Sequence, residues 1–203
     1  MKPQFEEIPA GDPGGKKPSL LLHACCAPCG SAVLECLAPL FDLTIFYYNP
    51  NISPPEEYRR RLSELRAFIR RFAPAARCVL VEAPYDPQDF YRATGVREAG
   101  ALQTEPERGI RCERCYRLRL KAAHRYATEH GFDYVTTTLS ISPHKDAVKI
   151  NAIGKTLAQA GGAAFLWADF KKQGGFQRSL VLSAEYGLYR QSYCGCEYSL
   201  RNH

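Results

Sequence analysis

The sequence predicts an α/β fold, a mostly parallel sheet with flanking helices in a single domain. Three observations predict it. Short apolar, β-branched or aromatic runs at 20–22, 43–48, 79–81, 133–136 and 164–167 alternate with helical stretches, the pattern of βαβ units. No repeat or internal linker interrupts this alternation. The residues just after each run are rich in Cys, Asn, Thr, Asp and Lys, and ligands of an open parallel sheet bind beyond the carboxyl ends of its strands.

Residues 1–18 are rich in Pro, Gly and Lys and read as a flexible tail ahead of one catalytic domain over 19–203. The tail lacks an apolar centre and carries Glu6, Glu7 and Asp12, so it is not expected to be a secretory signal, and a cytoplasmic protein is expected. Leu20-Leu21-Leu22 is a buried strand, followed by a Cys/Pro/Gly loop and a helix start at Ala32-Val33-Leu34. The run 43–48 is a second strand that stops at the turn signal Asn49-Pro50-Asn51. Pro54-Pro55-Glu56-Glu57 opens a helix with proline and acid in its first turn. Its stripe is Tyr58, Leu62, Leu65, Ile69 and Phe72, with Arg59, Arg60, Arg61, Arg66, Arg70 and Arg71 around it. Helical stretches near 112–130 and 145–160 separate the later strands.

Hydrophobic residues at 45% and charged residues at 24% exclude a disordered chain, and 15 glycines in 203 residues exclude a collagen-like fibre. No apolar run approaches the roughly 18 residues needed to span a bilayer. The 27 Lys and Arg outnumber the 21 Asp and Glu, a net charge of +6 that suits a polyanionic partner. The arginine face at 59–71 either tracks phosphates or is a solvated helix exterior.

Nine cysteines are many for a chain with no secretion signal, and clustered reduced thiols point to metal or redox chemistry. They form three groups, Cys25-Cys26-x-x-Cys29, Cys112-x-x-Cys115 and Cys194-Gly195-Cys196, while Cys36 and Cys78 read as small buried hydrophobes. Cys112 and Cys115 share one helix face near its start, where the helix dipole and Arg111, Arg114, Arg117 and Arg119 favour thiolate. Four thiolates from the first two groups would satisfy a [4Fe–4S] cluster, with a structural zinc site as the alternative. Cys194 and Cys196 read as a labile redox pair, or else as further ligands or quiet thiols.

Several longer motifs resemble one family. They are Leu21-Leu22-His23-Ala24-Cys25-Cys26-Ala27-Pro28-Cys29, Tyr48-Asn49-Pro50-Asn51-Ile52, Glu105-Pro106-Glu107-Arg108-Gly109-Ile110-Arg111-Cys112, Arg117-Leu118-Arg119-Leu120, Thr136-Thr137-Thr138-Leu139-Ser140-Ile141-Ser142-Pro143-His144-Lys145, Asp169-Phe170-Lys171-Lys172 and Leu188-Tyr189-Arg190-Gln191-Ser192-Tyr193-Cys194-Gly195-Cys196. In this order, from about residue 19 to 199, they resemble the cobalamin-independent epoxyqueuosine reductases of the QueH type. Ala24 and Gly30 stand where small hydroxyl residues are frequent in that family.

The resemblance implies an oxidoreductase of tRNA modification that removes the epoxide oxygen of epoxyqueuosine at the wobble position, leaving the alkene of queuosine. It implies an adenine-nucleotide α-hydrolase type of fold, a [4Fe–4S] cluster on Cys25, Cys26, Cys112 and Cys115, a redox-active Cys194 and Cys196, and no cobalamin. Cys29 also matches and is a candidate ligand for an additional iron ion. Side chains carry no low-potential electrons, so such a reduction needs a cofactor and an unidentified low-potential electron donor. Asp86 and Asp169 are candidate acids for the leaving oxygen, with Tyr85 and His23 beside them. Lys145, Lys171, Lys172 and Arg190 are candidate substrate-binding cations, and Tyr47, Tyr48, Tyr189 and Tyr193 candidates for stacking an extruded base or for core packing. Two rivals remain. An iron–sulfur tRNA sulfur transferase would need a phosphate-binding Ser-Gly-Gly-x-Asp-Ser loop where this chain has Ala24–Cys29. A zinc-stabilised RNA-binding module would have no use for Cys194 and Cys196.

Overall fold

The computed structural model describes Gly15 and residues 17–200, so most of the predicted tail over 1–18 lies outside the described residues. Ser19–His23 (β1), Asp42–Tyr47 (β2), Val79–Glu82 (β3), Tyr134–Thr137 (β4) and Ala164–Phe165 (β5) form one sheet in the order β3-β2-β1-β4-β5. All four pairings are parallel, with His23 opposite Phe46 of β2 on one side and Thr137 of β4 on the other. The chain winds outward from β1 to β3 and then returns to lay β4 on the far side of β1. The carboxyl ends of β1 and β4 therefore flank the topological switch point, where α/β sheets bind ligands. The architecture is consistent with the adenine-nucleotide α-hydrolase type.

Both faces of the sheet are covered, which explains the unbroken apolar run of β1. Leu20 and Leu22 pack on one face with Ile45 and Tyr47, against Ala27–Leu37 (α1), Pro55–Arg71 (α2) and Gly175–Glu185 (α7). Leu21 packs on the other face with Phe46 and Val135, against Ile110–Glu129 (α5). Leu20, Leu21 and Leu22 are wholly buried; burial of each contributes about 1.5–3 kcal/mol. Ala147–Ala158 (α6) lies against α5 and β5.

Three sequence expectations are corrected. The loop after β1 is shorter than expected: α1 already starts at Ala27, with Cys26 as N-cap and Pro28 in the first turn, so Cys29 and Gly30 lie inside the helix. The fifth strand ends at Phe165 rather than 167. Four helices went unread: Pro87–Thr94 (α3), Ala101–Thr104 (α4), α7 and Glu197–Leu200 (α8). The signals for α3 were present. Asp86 is an N-cap accepting from the Gln88 amide, Pro87 opens the helix, and Gly95 ends it at φ 64°.

The turn from Phe170 into α7 is drawn tight at Gly175. A Cβ there would lie 1.9 Å from the Phe170 carbonyl oxygen, a backbone atom that cannot move aside cheaply. Gly175→Ala is expected to lower stability by about 1–3 kcal/mol, the usual cost of overpacking. Urea unfolding should show a lower midpoint at an unchanged slope, and an unchanged midpoint would contradict this packing.

Candidate functional site

The site is assembled where β1 meets α1. Cys26 is the N-cap of α1 with extended backbone, φ −173° and ψ 164°. A side chain at that position folds over the first turn toward the third helical residue, which here is Cys29. Cys25 stands just before it. The Sγ atoms of Cys25, Cys26 and Cys29 consequently lie within 4.8 Å of one another, and Cys25 and Cys26 are 3.7 Å apart. Hydrogen bonds from Cys26 and Cys29 hold the Cys25 thiol well below its ordinary range, against its burial and with help from Lys145 and Arg119. Hydrogen bonding to Cys25 pushes Cys26 up to about 12, and Cys29 also rises. Within the trio Cys25 ionises most readily, and a bound cation would favour ionisation of all three.

The second group sits on the first turns of α5. Cys112 packs in one apolar cluster with Cys25, Cys26, Tyr116 and Leu139, and Cys115 in a neighbouring one with Cys196, Phe90 and Tyr198. Burial raises Cys112 and pushes Cys115 up to about 12, the latter opposed by Arg119. Burial thus outweighs the thiolate-stabilising charges the sequence implied, although Arg111 and Arg119 still oppose it. The Glu105 carboxylate already accepts from the Ile110 and Arg111 amides at the helix start, both at 2.8 Å. Arg111 donates to the Leu102 and Gln103 carbonyls, Arg114 to the Thr94 carbonyl, and Arg117 faces Glu113 at the surface. Of the four, Arg119 lies beside Cys25 and Cys115, and Arg111, though spent on those carbonyls, still acts on Cys112 and Cys196.

The third group closes over the first. Gln191 Nε2 donates to Cys26 Sγ at 3.0 Å, and the Ser53 amide donates to the Gly195 carbonyl at 2.8 Å. Gly195 has φ 127°, a conformation that favours glycine, and a Cβ there would lie 3.0 Å from Ile52. Cys194 is half-buried, whereas Cys196 is buried and raised to about 11 by burial and by the charge of Cys194.

Three cysteine groups from distant parts of the chain thus meet at one switch point. The family model for epoxyqueuosine reductase QueH matches residues 20–202. The chain belongs to the epoxyqueuosine reductase QueH family. Its relatives of that name include proteins of Haemophilus influenzae, 41% identical over 90% of this chain and 72% of the relative, and Streptococcus pyogenes, 40% identical over 91% and 71%. The Thermotoga maritima relative is 34% identical over 90% of both chains.

In this QueH member, the donor set and its surroundings fit a thiophilic metal group. The tight trio is Cys25, Cys26 and Cys29, whereas the resemblance pairs Cys25 and Cys26 with Cys112 and Cys115, which lie outside the 4.8 Å group. Four buried cations lie near the sulfurs: Arg61 by Cys26, Arg111 by Cys112 and Cys196, and Arg119 and Lys145 by Cys25. Arg119 is 1% exposed; it donates to Asn49 Oδ1 and lies beside Cys115 and Cys25, whose thiolate forms it favours. Burial alone would depress Lys145, but the neighbouring sulfurs of Cys194, Cys25 and Cys29, in their thiolate forms, outweigh it and push its pKa up. His23 is wholly buried, with Nδ1 2.8 Å from Thr137 Oγ1 and Nε2 3.1 Å from the Tyr48 carbonyl. Burial and then Arg119 lower it to about 3, so it is a neutral support for the Arg119 side chain.

A cleft of ≈ 130 Å³ opens beside the trio, lined by Cys29, Lys145, Arg190, Gln191, Tyr193 and Cys194 among others. Of the remaining candidates, Asp169 is buried, pairs with Lys171 at 2.8 Å and is not among the residues lining the cleft. Lys172 lines a separate narrow pocket with Cys36 and Phe170. Asp86 is not brought to the cysteines; it caps α3 and pairs with Arg92. Tyr85 stacks on Tyr58. Tyr47 is core and Tyr48 donates to Asp89, so neither strand tyrosine is free to stack a base. Tyr189 is covered by Arg60 at 3.4 Å. The sequence reading missed Gln191 as a partner of Cys26 and the burial of Arg61. The second had a signal, since Glu57 and Arg61 stand four apart beside the apolar stripe of α2. No helix among the described residues is long and apolar enough to cross a membrane.

Proposed function

We propose that this chain reduces epoxyqueuosine at the wobble position of tRNA to queuosine, using a [4Fe–4S] cluster on Cys25, Cys26, Cys112 and Cys115 and a redox-active pair at Cys194 and Cys196. The observation that carries this reading is the convergence of all three cysteine groups on the carboxyl ends of β1 and β4, beside buried Arg119 and Lys145. Four thiolates bring four negative charges into a buried site, and these cations offset part of them.

The overall reaction consumes the epoxide, two electrons and two protons, and yields the alkene and water. The dithiol of Cys194 and Cys196 balances it: two S–H bonds and the two epoxide C–O bonds break, while one S–S bond, the C=C π bond and the two O–H bonds of water form, both protons going to the oxygen. Cys194 lines the cleft and Cys196 lies behind it against Cys115. When bound, the cluster supplies low-potential one-electron chemistry and a Lewis-acidic iron. Lys145 lines the cleft as a cation and holds the epoxide oxygen as it leaves. Cys29 borders both trio and cleft, the position of a ligand for an additional iron ion. Arg190, over Phe176 at the rim, meets a tRNA phosphate. A low-potential donor of unidentified nature then restores the dithiol. The catalytic unit is 19–203, acting on tRNA in the cytoplasm.

Anaerobically purified or reconstituted protein is expected to be brown, with iron and acid-labile sulfide near four of each per chain. Zinc without sulfide in such protein would favour the zinc-stabilised RNA-binding alternative and overturn the cluster.

A further inference from the structure

Arg61 belongs by sequence to the arginine face of α2, yet it is 1% exposed. Its guanidinium turns inward. Nε donates to Glu57 Oε1 at 2.6 Å, and the two terminal nitrogens donate to the carbonyls of Cys194 at 3.0 Å and Tyr193 at 3.3 Å. The same group lies 5.0 Å from the centre of the Tyr193 ring. Glu57, which aims it, also accepts from the Tyr189 hydroxyl. Ser53 completes the clasp by accepting from the Tyr193 hydroxyl at 2.6 Å. Gly195 fits closely over this cation, since a Cβ there would meet Arg61 Nη1 at 3.1 Å. A planar guanidinium holds two successive carbonyls in one rigid fork, whereas an ammonium offers rotatable donors on a compact head that fixes no such geometry.

We propose that Arg61 is a positioning residue for the terminal cysteine pair: by gripping the carbonyls of Tyr193 and Cys194 from α2, it holds Cys194 toward the cleft and Cys196 inward. It is thus not a phosphate-binding arginine. The inference rests on the redox role given above to Cys194 and Cys196. The charge of Arg61 also lies beside Cys26, so one side chain spans the metal-binding trio and the pair.

The test is Arg61→Lys in the iron-loaded protein, read by iron and sulfide content, tRNA affinity at fixed salt, kcat and KM, and alkylation of Cys194 by iodoacetamide in the dithiol form. Iron, sulfide and KM should hold, and tRNA affinity should stay within about twofold because no phosphate contact is lost. The kcat should fall by about 10- to 100-fold, the cost of small misplacement of a reacting group, and Cys194 should be alkylated several times faster as its segment loosens. Unchanged kcat and alkylation would overturn the proposal, as would loss of tRNA affinity in step with activity. Loss of iron would also overturn it, making Arg61 a support of the metal site. Should Arg61→Lys fail to fold, Glu57→Gln loosens the aim of Arg61 while keeping its bulk, and faster Cys194 alkylation is again required. Wild-type protein without iron or sulfide would sink the cluster reading, while the alkylation rates would still decide the role of Arg61.

Discussion

Cys194→Ser is expected to stop multiple-turnover reduction of epoxyqueuosine in tRNA while leaving the visible spectrum of the cluster nearly intact. Activity should fall by about two orders of magnitude or more, equivalent to about 2.7 kcal/mol in the barrier. Cys194 lines the cleft but lies outside the tight trio, and its segment is held through backbone carbonyls by Arg61 and Ser53 and through Gln191 on Cys26, not through its own sulfur. Its loss removes half of the dithiol without removing a ligand. Binding of tRNA should survive, because Cys→Ser removes no positive charge from a surface whose affinity comes chiefly from phosphate contacts. Loss of iron in this variant would make Cys194 a ligand. Full turnover with an artificial low-potential reductant would confine the pair to the exchange with the natural donor.

Cys26→Ala should bleach the protein, whereas Cys36→Ala and Cys78→Ala should keep both iron and turnover. Cys26 is 1% exposed, caps α1, receives the Gln191 hydrogen bond and lies within 4.8 Å of two other sulfurs. Cys36 and Cys78 are half-buried, and burial is the first cause of their raised thiols. Both pack against the main apolar core, far in chemistry from the trio. Replacing a ligand removes a coordinate bond that buried surroundings cannot replace, and even partners one layer further out cost about 10- to 100-fold in metal affinity. Iron content after gel filtration distinguishes the cases. Bleaching by Cys78→Ala as complete as by Cys26→Ala would show that the trio is not the metal-binding site.

The inner strands β1 and β2 were legible because strands covered on both faces carry apolar residues at nearly every position, whereas the partly exposed edge strands β3 and β5 showed only short apolar runs. The runs at 20–22 and 43–48 could hardly be anything else. The long helix α2 was legible from its stripe, and α5 and α6 from the helical stretches between the later strands. α7 was not, because it begins at Gly175 and leaves Leu180 and Val181 exposed, so its pattern does not separate an inner face from an outer one. The cysteine groups were legible as motifs, but their meeting was not. It depends on the return of the chain from β3 to β4 and on Cys26 capping α1, both tertiary facts. Arg61 and Arg119 illustrate the limit best. A charged residue in a helix ordinarily reads as exposed. The Cys194 carbonyl that buries Arg61 lies 133 residues further along the chain, and the Asn49 amide that holds Arg119 lies 70 residues earlier.

The most direct test supplies pre-reduced, iron-loaded protein with tRNA carrying epoxyqueuosine under anaerobic conditions, digests the tRNA and measures its nucleosides by mass. The account predicts that epoxyqueuosine disappears as queuosine appears, lighter by one oxygen atom, in at least one equivalent per chain. Epoxyqueuosine recovered unchanged from a reaction with fully loaded, reduced protein would contradict it.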